Sequence, residues 1–128
     1  MYTGNPIKER AFMNTQRIKV IVIISGIFMG LLVSGISVPL IKGKVPPNGS
    51  YGFKTEKTLS SEEVWYKANT YAGKEMFRAG LMLVGVSIVL LIVVRKLNIL
   101  AVVAVQFLSI VTILAIIILR CVSYLNKI

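Results

Sequence analysis

Groups able to do chemistry are few in this chain, and their types narrow its function at once. The sequence has no His and no Asp; its carboxylates are Glu9, Glu56, Glu62, Glu63 and Glu75, and its one thiol is Cys121. Without His or Asp there is no serine- or cysteine-type triad and almost no set of hard or borderline metal ligands. Glu62 and Glu63 are adjacent, so on a helix they project about 100° apart and do not converge as an acid/base pair. Their natural place is a helix N-terminus, where negative charge is favourable. The glycines of residues 46–73 are not in phosphate-loop order and no Gly-Lys-Ser or Gly-Lys-Thr follows them. These absences predict no catalytic residue, no metal and no cofactor, and hence a protein that is not an enzyme.

What remains is a set of recognition-type side chains, gathered in residues 46–73, PPNGSYGFKTEKTLSSEEVWYKANTYAG. Pro47-Asn48-Gly49 fits a tight turn, so Asn48 is either a turn former or a recognition residue. Tyr51-Gly52-Phe53 reads as an extended surface loop, with Gly52 supplying a positive φ or a close approach. Lys54 is either a headgroup contact or part of an anion site; Thr55 lies beside it. Trp65 is either an interfacial anchor or an aromatic wall. Asn69 falls one helical turn after Trp65 on the same face. If buried, its amide must be bonded, with Asn48 or the Lys54 loop as partner. Asn48, Tyr51, Gly52, Lys54, Thr55, Trp65 and Asn69 are therefore the candidate binding residues, at a site where the loop folds against a helix entrance.

The elements that must hold this interval are greasy. Of 128 residues 55% are hydrophobic, and the mean hydropathy is +0.78, more apolar than a soluble domain of this size can bury. Uncharged blocks at 20–41, 79–94 and 97–119 suit membrane spans of about 18–41, 79–94 and 97–119, the middle one shortened and bracketed by Arg78 and Arg95. The fold class expected is an all-α membrane protein: three transmembrane helices in one domain, with a polar loop and interfacial helix between the first and second. Ser60 with Glu63 reads as a capping box starting a helix that runs on into the second span. Gly26, Gly30 and Ser34 form one small-residue face. Ala72-Gly73, Ala79-Gly80 and Val86-Ser87 form another at seven-residue spacing, and the two could pack together. Pro39 is placed to end or kink the first helix. Arg95-Lys96-Leu97-Asn98 makes spans two and three an antiparallel hairpin. Gln106, Ser109 and Thr112 share an arc of the third, for interhelical hydrogen bonds or for a permeation path.

A net charge of +10 comes from 15 Lys and Arg, nearly all outside the spans. That placement points to lipid headgroups and the bilayer, not to nucleic acid. The first apolar block is too long for a signal-peptide core and has no small-residue cleavage site after it, so it is expected to stay. With three spans, six basic residues fall on the N-terminal side and nine on the side of residues 46–73. The positive-inside rule then puts that interval in the cytoplasm.

The run Pro46-Pro47-Asn48, Tyr51-Gly52-Phe53-Lys54-Thr55, Thr58-Leu59-Ser60-Ser61-Glu62-Glu63-Val64-Trp65, Asn69 and Ala72-Gly73 resembles the signature of the SdpI family. These are bacterial membrane proteins named for immunity to a secreted sporulation-delaying toxin. The family position of Lys54 is usually Arg, and longer members have further N-terminal spans, so the likeness is to their C-terminal half. The resemblance implies a multi-pass protein of a bacterial plasma membrane, protection from a membrane-active peptide, and capture of a transcriptional repressor. A homo-oligomer is an expected partner arrangement. Two rivals fit the size and charge: a holin-like pore former and an accessory subunit of a transporter.

Overall fold

The computed structural model describes residues 5–128. Three long helices make up the regular structure of these residues: α1 Pro6–Ile41, α2 Glu62–Val93 and α3 Ile99–Leu125. Each is long and apolar enough to cross a membrane, with best windows of mean hydropathy 2.4, 2.4 and 2.9. At 1.5 Å per residue α1 and α2 measure roughly 54 and 48 Å, well beyond a hydrocarbon core of about 30 Å. Being antiparallel, they overhang at opposite ends. The charged start of α1 projects on one side and the first turns of α2 on the other.

The helix ends follow local chemistry. Asn5 caps α1, its side chain accepting from Ile7 N, and Pro6 takes the first helical position, where a missing N–H costs nothing. The chain is thus already helical well before Ile18. Pro39 stays inside the last turn, and α1 stops at Ile41 with Gly43 at φ 60°. The cap of α2 is Ser61, which accepts from Val64 N at 3.3 Å, and not Ser60. The Ser60 hydroxyl is already used, donating to Lys57 O at 2.7 Å in the preceding turn, so no capping box forms. Glu63 instead pairs with Lys67 one turn on, at 2.6 Å. α2 then runs unbroken from this polar start into the span, and α3 continues past Leu119 to Leu125.

α2 is the central helix, packed chiefly on α1 and less on α3. Small residues let α1 and α2 approach closely, the means of association open to helices in lipid. A Cβ on Gly30 would lie 2.6 Å from Gly80 O, and one on Gly26 would lie 2.6 Å from Ser87 Oγ. A Cβ on Gly73 would lie 2.9 Å from Leu40 Cβ. Ser34 sits opposite Gly80 and donates to Phe77 O at 3.2 Å. On α3, Gln106 is buried and its Oε1 accepts from Ser87 Oγ at 3.3 Å. Ser109 bonds back to Gln106 O, and Thr112 faces outward. The third helix therefore turns one polar residue inward, not a continuous polar lane.

Lys19 has a role that its place beside a span does not suggest. It is 2% exposed, and its ammonium donates to Val94 O and Leu97 O, each at 2.9 Å. α2 has no basic residue in its own last turn, so α1 supplies the cation that its C-terminal carbonyls favour. Lys19→Met should leave both carbonyls without it. The expected loss is about 1–3 kcal/mol, read as a lower melting temperature in detergent and faster proteolysis near residues 94–98.

Candidate functional site

Residues 42–61 fold back over the turns of α2 that project beyond the end of α1. Asn48 organises this loop from within. Its Oδ1 accepts from Ser50 N at 2.8 Å and Tyr51 N at 2.7 Å. Its Nδ2 donates to Pro46 O at 2.8 Å and Tyr51 O at 3.1 Å. This is the Asx chemistry of a turn former, with donors and acceptor both occupied. The Lys54 ammonium donates to Gly49 O across the same loop. Thr55 and Thr58 form a reciprocal pair: Thr55 N donates to Thr58 Oγ1 at 2.8 Å and Thr58 N to Thr55 Oγ1 at 3.1 Å. Thr58 is fully buried.

Two side chains of α2 pin the loop down. Trp65 is 0% exposed and its indole N–H donates to Val45 O at 2.8 Å. The ring is a post inside the protein, not an anchor in the headgroups. Asn69, 2% exposed, accepts from Phe53 N at 2.6 Å and donates to Phe53 O at 3.3 Å and Trp65 O at 3.1 Å. It therefore satisfies both backbone groups of one loop residue, much as a neighbouring strand would. Gly52 lies between these two, at φ 121°. A Cβ there would come within 2.6 Å of Asn69 Oδ1 and 3.2 Å of the Trp65 ring, so both the conformation and the space require Gly.

Trp65, Asn69 and Gly52 thus converge, with Tyr51 alongside and held through its backbone by Asn48, whereas Lys54 and Thr55 shape the loop without bonding to that cluster. Beneath the loop lies a cavity of about 350 Å³, bounded by Tyr51, Gly52 and Phe53 above and by Leu40, Met76 and Cys121 of the three helices below. Its lining is mostly apolar, and Tyr51 Oη is buried without a hydrogen-bond partner. Burial holds the Tyr51 pKa above its ordinary value, so the phenol is a neutral donor at physiological pH. No group of three or more His, Cys, Asp or Glu able to hold a metal occurs among the described residues. The recess is partly open and has room for one or two apolar side chains.

Three further side chains contribute at the C-terminal end of α3. Lys57 donates to Leu125 O at 2.7 Å, a second cation capping a helix C-terminus in trans. Tyr71 stacks on Tyr124, with centroids 4.1 Å apart and rings 3° from parallel. Cys121 is buried at the cavity floor. All three depend on where the C-terminal end of α3 comes to lie, and local sequence carries no sign of it.

Fold and site together define a small multi-pass helical membrane protein with a folded polar cap at one end. The chain belongs to the SdpI/YfhL protein family, whose model matches residues 44–123, from the cap to the last turns of α3. It is 30% identical over 60 residues to the uncharacterized protein YfhL of Bacillus subtilis (strain 168), a match covering 47% of this chain and 54% of that protein. The match thus spans about half the length of this curated relative. No solved structure matches.

Proposed function

We propose that this protein is a non-enzymatic immunity protein of a bacterial plasma membrane, and that its cap recognises a membrane-active peptide. The observation that carries this reading is the prebuilt, partly open recess under residues 51–53, floored by all three helices and roofed by a loop that Asn69 and Trp65 hold down. A rigid apolar recess beside the membrane surface suits an apolar side chain of an amphipathic peptide. Little entropy is then lost on binding, because the loop is already ordered. Family membership supports the same role, and the capture of a repressor by the outer face of the cap belongs to it as a second step. The pore-forming rival has less support, since Thr112 faces outward and Gln106 is alone inside.

The test is expression in a sensitive bacterium challenged with a panel of membrane-active peptides. Protection against at least one, at confirmed membrane levels, is expected. Unchanged killing throughout would remove the immunity reading, and depolarisation on expression alone would favour the pore. The proposed cytoplasmic position of the cap is tested separately. Ser50→Cys, at an exposed position, should resist an impermeant thiol reagent in intact cells and react after lysis, with buried Cys121 giving little background.

A further inference from the structure

Glu75 is an acid where an acid is costly: it is 5% exposed and lies one turn before the apolar stretch that begins at Ala79. Its two oxygens are shared between two helices. Arg78 Nη1 meets Oε1 at 2.6 Å, and Arg120 Nη1, from α3, meets Oε2 at 3.0 Å. The arginine side chains are 65% and 57% exposed. Each guanidinium has five N–H donors and gives one to the carboxylate, so both keep donors facing outward. The cluster retains one net positive charge. A buried carboxylate cannot easily let go of its partners, and it holds the two planar forks side by side.

From this cluster a cleft of about 410 Å³ runs between α2 and α3, walled by Ala79, Met82, Ile113, Ile116 and Ile117. Met82 and Ile116 are 63% and 47% exposed on the face that a bilayer would cover. Two cations at headgroup level above a hydrocarbon trough are complementary to one kind of molecule, anionic at one end and aliphatic along its length. We propose that this cleft is a binding site for an anionic phospholipid, its phosphate on Arg78 and Arg120 and one acyl chain along Ala79, Met82 and Ile116. A second cleft, of about 700 Å³, carries Arg17 and Arg95 at the other membrane edge. Neither of those arginines is held by an ion pair among the described residues, so charge is present there without the fixed geometry. The cleft shares the wall residue Ile117 with the cap cavity, but the proposal does not rest on the function of the cap.

The test uses the full chain in detergent, titrated with phosphatidylglycerol or phosphatidylcholine and read by native mass spectrometry. Wild type should prefer phosphatidylglycerol by about tenfold or more, the scale expected for two interfacial arginines. R78Q/R120Q should lose that preference, but it strands Glu75 without partners and puts folding at risk. E75Q/R78Q/R120Q removes the charges together, replacing the buried carboxylate by an isosteric amide and trimming only mostly exposed arginines, and should lose it with melting close to wild type. Met82→Trp fills the trough at an exposed position and should weaken phosphatidylglycerol binding with the charges intact. R17Q/R95Q should leave the preference unchanged. Equal binding of the two lipids by wild type, or a preference surviving the triple variant and Met82→Trp, overturns the proposal. So does an equal loss in R17Q/R95Q. Displacement of the lipid by excess inorganic phosphate would show a simple anion site and overturn it as well.

Discussion

Gly80→Leu is expected to abolish assembly of the bundle, whereas Gly85→Leu on the same helix is tolerated. At Gly80 a Cβ would run into Ser34 Oγ and the Gly30 carbonyl oxygen, and would lie 2.9 Å from Ser34 N. Two of those three atoms are backbone, so no rotamer change relieves the clash and α1 must move off α2. Overpacking a core commonly costs 1–3 kcal/mol; here the displaced element is a whole helix, and about 3 kcal/mol or more is expected. At Gly85 nothing lies within 4 Å of the added carbon and the position faces outward. Leu there gains helix propensity, by at most about 1 kcal/mol. Melting in detergent, with yield of folded protein in membranes, separates the two. Equal stability of both variants would mean that the α1–α2 seam does not hold the fold.

Asn69→Leu should free the cap while leaving the three helices in place. Leucine keeps the branched four-atom shape of asparagine, in a larger volume, but cannot serve Phe53 N–H, Phe53 C=O or Trp65 C=O, all of which Asn69 bonds. Unsatisfied buried backbone groups cost about 1–3 kcal/mol, so the open state of the loop should gain roughly tenfold to a hundredfold. Trp65 reports this directly. It is the only Trp in the chain and is fully buried under the loop, so its emission should shift to the red and become accessible to quenchers. Proteolysis within residues 45–60 should accelerate. Gly52→Val, which needs φ 121° and space already held by Asn69 Oδ1, should reproduce both effects from the loop side.

Much of the architecture was legible because lipid imposes simple rules. Runs of about 20 apolar residues and the Arg95-Lys96-Leu97-Asn98 turn carry the three helices and the hairpin in plain sequence. The site was legible in its materials more than in its assembly. Asn69 and Trp65 announce themselves as polar or amphipathic groups in a helix start, yet whether they face lipid, water or loop depends on a segment about 20 residues earlier. Lys19 shows the limit most clearly. It lies among headgroup-type cations, but its partners are at Val94 and Leu97, 75 and 78 positions away. Glu75 and Arg120, 45 apart, are the same case. Ser60 against Ser61 is a different failure. Two adjacent hydroxyls compete for one cap, and the turn Thr55–Ser60 decides by taking the first for Lys57 O.

The most direct measurement is bacterial survival against a protective-range series of one membrane-active peptide, comparing wild type, Asn69→Leu and Leu108→Ala at matched membrane levels. Leu108 is 60% exposed on α3 and serves as the bundle-surface control. Wild type and Leu108→Ala should protect alike, and Asn69→Leu should lose about tenfold or more of the tolerated concentration, following the loop-opening equilibrium. Full protection by Asn69→Leu, with its Trp65 emission shifted as for an open cap, would contradict recognition by the folded cap.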